Sequence, residues 1–120
     1  MVHVEQDKVL QNLELWLTLL VTLQIDSLRR AGVEVGENCY IDAEWAGEPG
    51  MAKYGDGAIA DRGSIVFGHL MTHNGECFNV HFNHVAVGAG AQVAARSGIF
   101  PGVNLKAGET VPSGEMRMAL

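Results

Sequence analysis

An aliphatic residue recurs at every sixth position through the C-terminal third of this 120-residue chain. The series runs Val87, Val93, Ile99, Leu105 and Val111. A strand turns alternate residues to one face and a helix every third or fourth, so neither element produces a period of six. A triangular coil does, because each face is a short strand with one inward aliphatic residue and each corner takes a small residue. Stacking the coils buries the inward aliphatic side chains that a single coil would leave exposed to solvent. The period therefore predicts a parallel β-helix.

The same period recurs upstream in two less regular runs. The first holds Val35, Cys39 and Ile41, and the second holds Tyr54, Ala60 and Val66. Cys39 takes a small-residue position between two inward positions, so we expect a core thiol there. Residues 45–53 break the period and are predicted as a loop leaving a corner, and a second break covers about residues 70–83. The count is therefore four to five coils.

Helical spacing precedes the six-residue period, over residues 8–30. Its apolar face carries Val9, Leu10, Leu13, Leu17, Leu20, Val21 and Leu28. Asp7 is a candidate N-cap and Gly32 a candidate stop. The uncharged run over residues 15–25 is shorter than the roughly 20 residues of a bilayer span. We expect residues 1–32 to form one hydrophobic helix packed on the β-helix of residues 33–120 or on a second subunit, and contact with a membrane surface through residues 8–30 is the alternative.

Composition limits the classes of partner and compartment. The formal net charge is −6, and the chain has no cluster of basic residues longer than Arg29-Arg30. Nucleic-acid binding, which depends on neutralising phosphates, is therefore not expected. Two cysteines do not make a disulfide framework, and no basic, cleavable N-terminal signal is present, so a reducing cytoplasmic location, with membrane association as an option, is expected.

The ladder and its small-residue corners resemble the hexapeptide-repeat, left-handed β-helix superfamily of acyltransferases, over roughly residues 33–115. A hydrophobic helix followed by GVEVGENCYIDAEW, YGDGAIADRGSIVFGHL and VAVGAGAQVAARSGIFPGV is similar to the β-helical terminal domain of certain nonribosomal-peptide-synthetase-like proteins. The resemblance implies left-handed winding, a homotrimer and an acyl-CoA co-substrate, acetyl-CoA above all, held between subunits. It also makes contact with a larger synthetase, through residues 8–30, an alternative to the membrane contact. It also implies that backbone amides from Val87 onward hold the acyl carbonyl and the pantetheine arm.

Four histidines, at positions 69, 73, 81 and 84, lie within sixteen residues around the second break. Imidazole titrates near neutral pH and can take a proton from a hydroxyl or amine that attacks a thioester. In the sugar O-acetyltransferase branch of the superfamily, a histidine that ends a coil before a loop is the general base. The resemblance therefore implies His69 as the base, with His73 as the second candidate, in acyl transfer to a hydroxyl or amine.

Other functions use the same residues. H-x3-H and H-x2-H spacing suits a zinc site such as that of the γ-class carbonic anhydrases, which resemble this chain in scaffold, although the upstream partner histidine is missing. A non-catalytic trimerising module of a synthetase-like protein is the third class. A cysteine nucleophile is possible in principle, but Cys77 has no identifiable setting that would favour a thiolate, so it is not expected to be catalytic.

Overall fold

The N-terminal helix is longer than the sequence predicts. The computed structural model describes residues 2–119, with residues 2–10, 14, 16–18 and 20 described by their helical backbone alone. Helix α1 spans Val2–Ala31, so Asp7 lies inside it and its predicted role as the N-cap is wrong. The predicted stop is confirmed, since Gly32 has a φ of +103°. The amides of Gly32 and Val33 donate to the carbonyls of Arg29 and Leu28, at 3.1 and 2.9 Å, the pattern of a glycine-terminated helix.

Short strands follow, most of them two residues long. They are β1 (Glu34–Val35), β2 (Tyr40–Ile41), β3 (Ala52–Tyr54), β4 (Ile59–Ala60), β5 (Ile65–Val66), β6 (His69–His73), β7 (Phe78–Phe82), β8 (Val85–Val87), β9 (Gln92–Val93), β10 (Gly98–Ile99), β11 (Asn104–Leu105), β12 (Thr110–Val111) and β13 (Met116–Arg117). The prediction of a mainly-β chain after one N-terminal helix is confirmed.

Apart from β6 and β7, the chain visits three parallel sheets in turn, and each round of three is a coil. Sheet A has the order β1-β3-β8-β11, sheet B β12-β9-β4-β2 and sheet C β13-β10-β5. Trp45 extends sheet C by a parallel bridge to Ile65, so it takes the sheet C position of the first coil. Within residues 2–119 this gives four coils.

The six-residue ladder forms the core. Its five aliphatic residues are buried, and they stack in register with inward residues of neighbouring coils, as Val111 on Val93, Val93 on Ala60 and Ile99 on Val66. The small corner residues are buried with them: Cys39, Ala58, Ser64, Ala91, Ser97 and Val103. Cys39 is thus the core thiol that the spacing predicted.

The two ends of the coil stack are covered differently, one by a helix and the other by an ion-paired arginine. At the first coil, Ile25 and Leu28 of α1 pack against the core. At the last coil, Arg117 pairs in register with the inward Ile99, so a charged residue takes a ladder position. Its guanidinium bonds Glu109 and Glu115, each at 2.7 Å. Arg117 therefore ends the apolar ladder with a neutralised charge instead of a further aliphatic residue.

The outer side of α1 is unusually apolar. Leu15, Leu19 and Leu23, spaced by four, are all exposed. Of the predicted apolar face, Leu13 is half-exposed while Val21 and Leu28 are half-buried. The side chains of its other members (Val9, Leu10, Leu17 and Leu20) lie outside those described. Among residues 2–119, no helix has both the length and the apolar run needed to cross a bilayer.

Candidate functional site

The second break in the period is an antiparallel hairpin, formed by β6 and β7 and called the hairpin below. Asn74 builds its turn by accepting the amides of Glu76 and Cys77, both at 3.0 Å. The register places His69 opposite Phe82 and His73 opposite Phe78. Because side chains alternate across a strand, one hairpin face carries His69, Met71 and His73 with Phe78, Val80 and Phe82.

The hairpin separates the four histidines. His69 lies at its base, whereas His73 lies four residues further, about 13 Å along the strand at roughly 3.3 Å per residue, with its ring 4.7 Å from that of Phe78. His81 pairs with Leu70 and points to the opposite face. His84 follows the hairpin and lines a separate groove of about 260 Å³ on the outer side of sheet A. The described residues contain no group of three or more His, Cys, Asp or Glu placed to hold a metal ion.

His69 meets a carboxylate that the sequence did not single out. Its Nδ1 bonds Oε1 of Glu48, twenty-one residues upstream. The same carboxylate accepts the indole N–H of Trp45 on Oε1, at 3.1 Å, and the amide of Gly68 on Oε2, at 2.6 Å. Three donors fix Glu48, whose side chain is only 16% exposed against 32% for His69.

Local sequence explains why Glu48 points toward His69. Glu48 opens the turn over residues 48–51, in which its carbonyl accepts the amide of Met51 at 3.0 Å. Pro49 and Gly50, with a φ of +75°, occupy the two central positions, as type II turns prefer. Just before the turn, the buried hydroxyl of Tyr54 donates to the carbonyl of Ala46 at 2.7 Å. The turn is therefore anchored to the core.

The amide of Gly68 reaches Glu48 because residue 68 has no side chain. A Cβ at Gly68 would lie 2.8 Å from Oε2 of Glu48 and 2.8 Å from the Cβ of Met51. The carbonyl of Gly68 also accepts the amide of Asn83 at 3.0 Å, which closes the base of the hairpin. One glycine thus joins the turn, the coil and the hairpin.

The Glu48 contact decides which ring nitrogen of His69 carries the proton. An ionised carboxylate only accepts hydrogen bonds, so Nδ1 of His69 must be the donor. A neutral His69 then presents the lone pair of Nε2 away from Glu48. This is the orientation that a histidine general base needs, with a carboxylate holding the ring.

Aromatic rings surround His69. Its ring centroid lies 5.3 Å from that of Phe67, 6.2 Å from that of Trp45 and 6.5 Å from that of Phe82. The ring centroid of Phe100 lies 5.7 Å from that of Phe67. We call Trp45, Phe67, Phe82 and Phe100 the aromatic patch. Among the side chains that the structure describes, no lysine or arginine forms an ion pair with Glu48. The site therefore combines one carboxylate, one imidazole and an apolar surface.

Comparison with protein-family models, curated proteins and solved structures finds no match for this chain.

The sequence predicts His69 as the candidate base but gave no prediction of Glu48 or of the hairpin. The hairpin has a recognisable signal, since HLMTH and FNVHF alternate on either side of Asn74-Gly75, a dipeptide typical of tight turns. Glu-Pro-Gly signals the turn at residues 48–50. Cys77 is exposed in the hairpin turn, away from the Glu48–His69 pair.

Proposed function

We propose that this chain is a hexapeptide-repeat, acyltransferase-like protein that transfers an acetyl group from CoA to an acceptor, with His69 as the general base. The observation that carries the proposal is the Glu48–His69 hydrogen bond, which leaves Nε2 of His69 free to accept a proton. Glu48 is the positioning residue. The left-handed winding of the coils belongs to the same proposal and rests on the resemblance to the hexapeptide-repeat superfamily, whereas the four rounds of three parallel strands support the coil architecture itself.

The reaction needs only proton transfer from the protein. The acceptor hydroxyl or amine attacks the thioester carbonyl as His69 Nε2 removes its proton. The tetrahedral intermediate then collapses, the C–S bond breaks, and the proton on His69 passes to the departing CoA thiolate. The products are the acetylated acceptor and free CoA thiol, so no covalent acyl-enzyme is required.

A second copy of the chain supplies the other wall of this site. His69 lies on an open face of the hairpin and lines neither of the grooves at sheet A and beside α1. Further along that face Met71, Phe78 and Val80 are 56%, 68% and 43% exposed. Apolar side chains this exposed on one face favour contact with another protein surface. We therefore propose a homotrimer, with acetyl-CoA bound between the hairpin of one subunit and the coils of the next.

The test measures thiol release from acetyl-CoA in the presence of an acceptor mixture. We expect His69→Ala to lower the rate by about 10²–10⁴-fold, the usual contribution of a general base. Glu48→Gln keeps the size of the side chain, and we expect a smaller loss from it. Its distinct readout is nitrogen NMR of His69, in which the Nδ1–H tautomer loses its dominance.

Control measurements separate this proposal from its rivals. His73→Ala changes the other candidate histidine at the far end of β6, so a loss confined to that variant would transfer the role of base to His73. Light scattering gives the number of subunits. A trimer that neither binds acetyl-CoA in calorimetry nor releases thiol would refute acyl transfer and leave the non-catalytic trimerising module.

A further inference from the structure

The proposed reaction allows any hydroxyl or amine as acceptor, but the side chains around His69 favour a narrower chemical class. Three aromatic rings, those of Trp45, Phe67 and Phe82, have their centroids within 6.5 Å of the centroid of the His69 imidazole. Trp45 is 44% and Phe82 63% exposed, so both rings are available to a ligand. An aromatic surface of this kind binds flat apolar rings by stacking and edge-to-face contacts in addition to the burial of apolar area.

The charge of the site selects among such ligands. For His69 to act as a base its imidazole must be neutral, and its Nδ1–H then faces the Glu48 carboxylate. The reactive pair therefore carries one net negative charge, with no lysine or arginine paired to Glu48 in the part of the chain described. Aromatic faces attract cations as well. An ammonium group is thus favoured beside this pair, and a carboxylate or phosphate is disfavoured.

We propose that the acceptor is an arylalkylamine, an aromatic ring joined to a primary amine by a short alkyl linker. This rests on the acyl transfer proposed above. The ring of the acceptor lies against Trp45 and Phe82, and its nitrogen faces Nε2 of His69. The bound ammonium releases one proton to solvent, and the neutral amine attacks the thioester carbonyl. The C–N bond forms, the C–S bond breaks, and the second proton passes through His69 to the CoA thiolate.

The first experiment measures binding without acetyl-CoA, so that it does not depend on catalysis. Calorimetry compares phenethylamine with 3-phenylpropionate, which replaces the ammonium by a carboxylate, and with methyl β-galactoside. We expect phenethylamine to bind at least about tenfold more tightly than the carboxylate, and the galactoside to show no saturation. Equal binding of all three, or a preference for the galactoside, would overturn the proposal.

The second experiment assigns the binding to the aromatic patch. Phe82→Ala removes one ring from an exposed position, so the buried core stays intact, and we expect it to weaken phenethylamine binding about tenfold. Asn79→Ala lies on the other face of the same hairpin and should leave binding unchanged. Unaltered binding in Phe82→Ala contradicts the assignment.

Adding acetyl-CoA distinguishes failure of this inference from failure of the proposed function. Formation of N-acetylphenethylamine, lost in His69→Ala, supports both. Selective binding of phenethylamine without any acetylation supports the ligand class and refutes acyl transfer. Acetylation of the galactoside without binding of phenethylamine overturns the arylalkylamine and keeps the acyltransferase.

Discussion

Tyr54 links the core to the candidate site, and its removal has a calculable consequence. It is the largest of the fully buried side chains that the structure describes, 2% exposed, and its hydroxyl donates to the carbonyl of Ala46 at 2.7 Å. Ala46 is itself buried, two residues before Glu48. Tyr54→Phe keeps the ring and leaves that carbonyl without its donor. We expect the free energy of unfolding to fall by about 1–3 kcal/mol at neutral pH, the cost of an unsatisfied buried acceptor.

The same hydroxyl makes stability fall at alkaline pH. Burial raises the pKa of Tyr54 well above the ordinary value of about 10, because the interior disfavours the phenolate. Above pH 10 the unfolded chain therefore loses a proton that the folded chain retains, and stability decreases as pH rises. At pH 11 this linkage lowers the free energy of unfolding by about 1.4 kcal/mol in the natural chain and by nothing in Tyr54→Phe.

Urea unfolding at pH 8 and pH 11, followed by circular dichroism, measures both effects. We expect the stability difference between the natural chain and Tyr54→Phe to shrink by about 1.4 kcal/mol between the two pH values. Tyr40→Phe is the matched control, since Tyr40 is the other tyrosine and is only half-buried. Burial and the nearby Asp42 also raise the pKa of Tyr40, so a smaller change of the same sign is expected. A constant difference for Tyr54→Phe would refute the reasoning.

Three further predictions concern the glycine at the hairpin base, the corner serines and the end of the coil stack. Gly68→Ala places a Cβ 2.8 Å from the Glu48 carboxylate, so thermal unfolding should show a loss of about 1–3 kcal/mol, and an unchanged melting temperature contradicts this close contact. Ser64→Ala removes a buried hydroxyl with no hydrogen-bond partner among the described residues and should leave stability unchanged or higher. Ser97→Ala loses a 2.6 Å hydrogen bond and should lower stability by about 1 kcal/mol. A greater loss of stability in Ser64→Ala than in Ser97→Ala, measured by urea unfolding, would refute this comparison. Arg117→Leu leaves an apolar end on the last coil, and light scattering should detect association that grows with concentration; a variant as monodisperse as the natural chain contradicts the capping role of Arg117.

The coils were predictable because their signal is periodic. Each inward position follows the last by six residues, and burial at Val87, Val93 and Ile99 repeats that spacing without interruption. Every coil needs an inward aliphatic residue and small corner residues at the same positions, so the same pattern recurs several times in the sequence. The helix stop at Gly32 was predictable for a different reason, since positive φ strongly favours glycine.

The Glu48–His69 pair was not predictable in the same way. It occurs once, it joins residues 21 positions apart, and neither residue lies on the ladder. A glutamate before Pro-Gly is an ordinary turn residue in the sequence, and its hydrogen bonds with Trp45, Gly68 and His69 are visible only in the structure. The start of α1 was also missed, because helical backbone continues through the polar residues before Lys8 without a cap at Asp7.

A rule for finding such a pair follows from the topology. The turn that carries Glu48 leaves the first coil after Trp45, in the sheet C position, and returns at β3 in sheet A. The hairpin leaves the second coil after β5 in sheet C and returns at β8 in sheet A. Both breaks in the period therefore occur at the same corner of consecutive coils, about 4.8 Å apart along the stack. Two departures from one corner begin one coil spacing apart, so aligning the breaks with the six-residue period brings residues 45–51 close to residues 67–69 and makes their side chains the first to examine for a contact.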